Sequence, residues 1–173
     1  MHKRLLLIIN PAAGVRKANR HLTAMVALFN AHGYICTVFC TAGRGDATRI
    51  ARENARDFDL VVCVGGDGTL NEVLGGMVEG RAHTPIGYVP AGSTNDFASS
   101  FELSKDILKA AKDIMEGTPR SLDAGSFNGR LFTYVASFGA FTEASYATPQ
   151  RSKNLLGHLA YVLEGMKDLP NIH

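Results

Sequence analysis

Four short apolar runs, each followed by an unusual loop and then by helical periodicity, leave this chain few folds to choose from. The runs fall at residues 3–10, 34–41, 60–64 and 86–89. Between the first two, Leu22, Met25, Val26 and Phe29 recur at helical spacing over 17–32, and Gly33 stands where a helix would be capped. Strands that are apolar throughout are buried on both faces, and strand–helix–strand repetition makes them parallel. The expected fold is a three-layer α/β/α, Rossmann-like domain around a parallel sheet. Right-handed crossovers then bring the loops after Asn10, Thr41, Val64 and Val89 to one edge. Open α/β sheets bind ligands at that edge.

The loop after the third run reads Gly65-Gly66-Asp67-Gly68-Thr69-Leu70-Asn71-Glu72-Val73. Three glycines in four positions free the backbone to turn successive N–H groups toward one point, and the loop empties into a helix expected over 69–79. This is a setting for phosphate; the plainer reading is a tight strand-to-helix turn. A carboxylate inside such a loop makes sense if it meets a cation or a hydroxyl. The loop after the fourth run, Pro90-Ala91-Gly92-Ser93-Thr94-Asn95-Asp96-Phe97-Ala98, places four capping-type residues in a row where one cap needs only one. Asp46 reads as the N-cap of a helix through 56. Over 104–116, Ile107, Leu108, Ala111, Ile114 and Met115 form the inward face of another helix.

After Gly117 the pattern changes. Residues 120–127 alternate like a half-exposed strand, Asn128-Gly129 is a strong hairpin signal, and 130–138 reads as the returning strand. A helix is expected over 154–168. The chain thus divides into an α/β domain at 1–118 and, at 119–173, the incomplete start of an antiparallel β-rich domain. Two strands and a helix do not close a core, so an exposed edge and self-association through it are expected.

Composition narrows the function classes. Hydrophobic residues make up 46% and charged residues 20% of the 173, as in an ordinary globular protein. A net charge of +2 with scattered Lys and Arg gives no footprint for nucleic acid. Arg16, Lys17, Arg20 and His21 form one local basic cluster, read as a solvated helix face that can also attract polyphosphate or an anionic membrane surface. The run at 5–9 is too short for a signal peptide or a membrane span, which points to the cytoplasm. Cys36 and Cys40, four apart on a strand, stand ~13 Å apart and do not bridge. No Gly-x-x-x-x-Gly-Lys-Ser/Thr loop, dinucleotide fingerprint or protein-kinase signature is present, and no metal-ligand spacing. Ser137 lacks a nucleophile-elbow context, and Asp123 and Glu143 are candidate catalytic carboxylates, although isolated carboxylates are usually surface or capping groups.

Taken together, Asn10-Pro11-Ala12-Ala13-Gly14, Thr41 followed by Gly45-Asp46-Ala47, the Gly65–Val73 loop, the Pro90–Ala98 loop, Asp123-Ala124-Gly125, and Leu156-Gly157 with Ala160-Tyr161-Val162 carry a resemblance. The chain resembles the catalytic domain of the diacylglycerol kinase family, which includes sphingosine, ceramide and bacterial lipid kinases and is distantly related to NAD kinases and phosphofructokinases. The resemblance implies an ATP-dependent, Mg²⁺-requiring lipid kinase that passes the γ-phosphoryl group to a lipid hydroxyl at the inner membrane face. It implies an ATP site lined by Asn10, Pro11, Ala12, Ala13, Gly14, Thr41, Gly65, Gly66, Asp67, Gly68, Thr69, Leu70, Asn71, Gly92 and Ser93. Asp67, Asn95 and Asp96 take catalytic roles, Asp67 on Mg²⁺ or the ribose-phosphate and the other two on the acceptor side. The family has Thr where this chain has Ser93, which keeps the hydroxyl. The family's base is a carboxylate late in the second domain and has no counterpart before His173. The alternatives are a nucleotide-binding module without kinase activity and an NAD-kinase-like enzyme; the Asn-Asp pair at 95–96 favours the lipid branch.

Overall fold

The computed structural model describes residues 2–127 and 130–132, which belong to the compact unit Met1–Tyr134. The expected return strand beyond Phe132, the helix over 154–168, Ser137, Glu143, the Leu156 to Val162 motif and most of the expected second-domain edge lie outside the described residues.

Strand β1 (Lys3–Ile9) is followed by a 3₁₀ turn (Ala13–Arg16) and helix α1 (Lys17–Ala31). Strand β2 (Tyr34–Cys40), helix α2 (Asp46–Asn54) and strand β3 (Leu60–Gly65) come next. Helix α3 (Asp67–Glu79), strand β4 (Ile86–Pro90), the short helix α4 (Asp96–Ser100) and helix α5 (Ile107–Glu116) complete the α/β part. Strands β5 (Gly125–Phe127) and β6 (Arg130–Phe132) then pair antiparallel, with Phe127 opposite Arg130.

The four-stranded sheet is parallel, in the order β2-β1-β3-β4. The chain moves one way from β1 to β2 and then crosses back to β3, so the order reverses between β1 and β3. Successive residues of β1 feed opposite cores. Leu5, Leu7 and Ile9 pack with Ala18, Met25 and Phe29 of α1 and with Ile107, Ala110 and Ala111 of α5. Leu6 and Ile8 pack with Ile50 and Ala51 of α2 and with Leu70, Val73 and Met77 of α3. This is the three-layer α/β/α arrangement, with helices on both faces of the sheet. Strand β3 is buried along its whole length, whereas β2, an edge strand, leaves Ile35 and Val38 exposed, contrary to the expectation of full burial. Helices α2 and α3 meet closely because Gly76 has no side chain: a Cβ there would run into the Thr48 carbonyl oxygen.

Several expected boundaries move, each for a local reason. Helix α2 is capped by Gly45 in the left-handed region (φ 87), and Asp46 is its first residue rather than its cap. Its regular turns stop at Asn54, giving way to a 3₁₀ turn at Ala55–Asp57. Helix α3 begins at Asp67, two residues before the expected start. Helix α5 begins at Ile107 because the Asp106 carboxylate accepts the Lys109 N–H and sets the start there. Its inward face also includes Ala110, which the sequence reading omitted. Of the strand expected over 120–127, only Gly125–Phe127 is paired. Gly33 closes α1 at φ 83, as expected of a C-terminal glycine.

Candidate functional site

The parallel ladder continues past the strands and aligns the loops. Thr41 N–H donates to Ile9 O at 2.9 Å, Asn10 N–H to Val64 O at 2.9 Å, and Ala91 N–H to Gly65 O at 2.8 Å. The four loops therefore start side by side at the C-terminal edge. The first and third flank the point where strand order reverses, where ligands of such sheets bind.

Asn10 organises the first loop. Its Oδ1 accepts the Ala12 N–H at 3.0 Å, and its Nδ2 donates to Thr69 Oγ1 at 3.1 Å on α3. The side chain that ends β1 thus fixes the turn through Pro11 and Ala12 and ties it to the glycine loop. Gly14 has φ +50, and a Cβ there would strike the Ala91 carbonyl oxygen, so the first and fourth loops touch backbone to backbone. A similar seam joins the third and fourth loops: a Cβ on Gly92 would lie 2.6 Å from Gly66 Cα.

In the glycine loop, Gly68 is exposed at the first turn of α3. The opening N–H groups of a helix have no intrahelical acceptor, and with the helix dipole they make this end of α3 suited to an anion. Gly65 and Gly66 bring the chain into that turn; a side chain on Gly65 would collide with Thr69. The residues expected to line an ATP site do not all face the edge. Leu70 is 2% exposed and belongs to the core beneath, and its N–H is taken by Gly66 O at 3.0 Å. Thr69 is also buried, its hydroxyl engaged by Asn10, so it supports the loop from below. Ala13, Gly14 and Thr41 are buried at the loop bases, whereas Ala12, Gly68 and Ser93 are exposed; Pro11, Gly66, Asp67, Asn71 and Gly92 are half-buried.

Asp67 differs most from expectation. The sequence reading gave its carboxylate a cation or hydroxyl partner. In the structure Oδ2 accepts the Asp96 N–H at 2.9 Å and Oδ1 accepts the Phe97 N–H at 3.1 Å. Asp67 therefore caps α4 across 29 residues of sequence, binding the third loop to the fourth. Asn95 is likewise turned inward. Held at φ 56, it accepts the Gly92 N–H on Oδ1 at 2.8 Å and donates Nδ2 to Gly92 O at 2.9 Å. It is buried and makes the fourth loop self-supporting. Asp96, the third member of the expected catalytic trio, is half-buried on the first turn of α4.

Two residues that sequence reasoning left without a role join this network. The buried hydroxyl of Tyr88, the middle residue of β4, lies 3.2 Å from Gly65 O and 3.4 Å from Asn95 Oδ1. Burial first, and the charge of Asp67 second, push its ionisation above the usual tyrosine range, so it remains a donor. Its signal in the sequence is a hydroxyl-bearing ring inside an otherwise apolar strand. Glu72 on α3 accepts the Gly45 N–H at 3.0 Å, and Asp46 accepts Ala42 N–H at 2.8 Å and Gly43 N–H at 3.2 Å. The Ala42 N–H, foremost, holds the Asp46 carboxyl below its ordinary ionisation range.

Among the described residues no group of three or more His, Cys, Asp or Glu is placed to hold a metal ion. Each Asp67 oxygen accepts one backbone N–H. The three cysteines are free thiols, and among the described residues no helix is long and apolar enough to cross a membrane.

A parallel sheet with helices on both faces, and a helix end and an Asn-Asp loop at its switch point, defines a Rossmann-like α/β domain. The sequence matches the model of the diacylglycerol kinase catalytic domain over residues 4–127, and the chain belongs to that family. It is 41% identical over 172 residues to a diacylglycerol kinase of Bacillus subtilis, covering 98% of this chain and 57% of that protein. A diacylglycerol kinase of Staphylococcus carnosus is 37% identical over 99% of this chain and 56% of its own length. The crystal structure of a diacylglycerol kinase from Bacillus anthracis superposes with a TM-score of 0.69 at 31% identity, over 75% of this chain and 45% of that one. The chain thus spans a little over half the length of the curated relatives it matches.

Proposed function

We propose that this chain provides the ATP-holding part of a lipid kinase that transfers the γ-phosphoryl group of ATP to a lipid hydroxyl. The observation that carries this reading is the junction of the first, third and fourth loops around the start of α3. In it Asn10, Asp67 and Asn95 are spent on holding the loops together, which leaves the opening N–H groups of α3 for phosphate oxygens. The names of the relatives support a kinase of this class, and the Asn95-Asp96 pair favours the lipid branch over an NAD-kinase-like one.

Phosphoryl transfer depends chiefly on positioning and on stabilising charge at the transferring group. The acceptor oxygen forms a bond to the γ-phosphorus while the bond to the β,γ-bridging oxygen breaks. In this reading Gly66, Gly68 and the α3 N-terminus hold the phosphates, and the Asn10–Gly14 turn and Thr41 border the nucleotide. Magnesium supplies charge neutralisation as part of its complex with ATP. Asp96, on the α4 turn that Asp67 holds, faces the acceptor side, where the protein meets the membrane surface peripherally. The division near residue 118 belongs to the same reading: the strands up to Pro90 are parallel, and antiparallel pairing first occurs at Gly125.

The test has two arms. Calorimetric titration of the chain with ATP and magnesium should give saturable binding, and Asp67→Ala should abolish most of it. A phosphorylation assay with diacylglycerol in the full-length protein should lose most turnover in the same variant. Near-normal turnover there would refute the reading, and nucleotide binding without transfer would leave a binding module.

A further inference from the structure

We propose that Tyr88 is a positioning residue for the nucleotide: its hydroxyl sets the side-chain orientation of Asn95 and so the distance between the glycine loop and the Asn-Asp loop. The inference rests on the ATP-site reading above, and it assigns a residue that the family resemblance does not reach.

Tyr88 lies on β4, whose backbone pairs with β3, so its main chain is held by the sheet. The ring is 7% exposed and packs edge-on against Phe97 of α4 at 5.8 Å between centroids. The hydroxyl meets two acceptors, Gly65 O at 3.2 Å and Asn95 Oδ1 at 3.4 Å. A single proton shared between them draws the last residue of β3 and the pivot of the fourth loop toward one point. An amide side chain can turn over and exchange oxygen for nitrogen. The Tyr88 donor favours the orientation with Oδ1 inward, which is the one that accepts the Gly92 N–H and returns Nδ2 to Gly92 O. Gly92 in turn lies against Gly66. Tyr88 therefore acts on the phosphate-facing backbone through Asn95 and Gly92.

Removing the hydroxyl orphans neither acceptor. Gly65 O keeps the Ala91 N–H at 2.8 Å, and Asn95 Oδ1 keeps the Gly92 N–H at 2.8 Å. A hydroxyl that merely stabilised the fold would leave nucleotide affinity and the Asn95 amide unchanged when deleted. A positioning hydroxyl would change both while the protein still melts near the parent temperature.

The experiment compares the parent chain with Tyr88→Phe. Amide ¹H–¹⁵N spectra follow the Asn95 side chain and the Gly92 backbone, and titration with ATP and magnesium gives the dissociation constant. Tyr88→Phe should shift or broaden both signals and weaken ATP about fivefold to tenfold, the scale of one net hydrogen bond. Unchanged signals, or changed signals with unchanged affinity, would overturn the proposal. A parent chain that does not bind ATP would instead defeat the ATP-site reading, while the spectra still report whether Tyr88 orients Asn95.

Discussion

Glu72 accepts the backbone N–H of Gly45 at 3.0 Å, 27 residues earlier in the chain. With Asp46 taking the N–H groups of Ala42 and Gly43, carboxylates of the protein itself occupy three donors of the loop after β2. The protein's own side chains thereby satisfy these donors of a second glycine-bearing loop at the C-terminal edge of the sheet.

Glu72→Ala should release Gly45. The bond is solvent-exposed, so global stability should fall by less than ~1 kcal/mol. Native-state hydrogen exchange at the Gly45 amide should quicken about tenfold, the local counterpart of roughly 1.4 kcal/mol. Glu72→Gln keeps an acceptor oxygen and should remain near the parent in both measurements. Equal exchange in all three proteins would show that the contact does not hold the loop.

Neighbouring glycines on α3 should respond in opposite directions. A Cβ on Gly76 would meet the Thr48 backbone and Ala51, whereas one on Gly75 would meet nothing within 4 Å. Gly76→Ala should cost ~1–3 kcal/mol by forcing α2 and α3 apart. Gly75→Ala should add up to ~1 kcal/mol, since alanine is the better helix former. Urea denaturation of the two variants gives the comparison directly.

The Asp46 carboxyl titrates lower in the folded chain than when unfolded, chiefly because of the Ala42 N–H. The unfolded form therefore binds its proton first, and stability rises with pH through that interval. The contribution is present above about pH 4, the range of an unperturbed aspartate, and is lost as pH falls through the folded value. Thermal melts of the parent and Asp46→Asn should differ most near neutral pH and converge in acid. A gap that widens toward acid would contradict this assignment.

The layer architecture was legible in the sequence because uninterrupted apolar runs such as 60–64 permit little except a doubly covered strand. The antiparallel pairing of β5 with β6 was legible for a similarly local reason. The bonds that build the site were not. Asp67 in a glycine loop reads as a group awaiting a cation, yet it caps a helix that starts 29 residues later. Nothing in local spacing tells which loops will lie within reach of one another. Leu70 shows the complementary limit: a motif names neighbours in sequence, while helical geometry turns one of them into the core. Tyr88 and Glu72 escaped notice because each acts at a distance, through a backbone group of another loop.

The backbone seams at Gly14–Ala91 and Gly66–Gly92 bear on how this site can be re-engineered. They remove parts of the loop bases from the space that variation can explore, since a side chain on Gly14 or Gly92 would displace a neighbouring main chain. A library randomised at 14 and 92 should return almost nothing but glycine. One randomised at the exposed positions 44, 68 and 93 keeps the frame and varies what it presents. Changes in ligand preference should therefore be sought at the rim, by single substitutions, without redesigning the loops themselves.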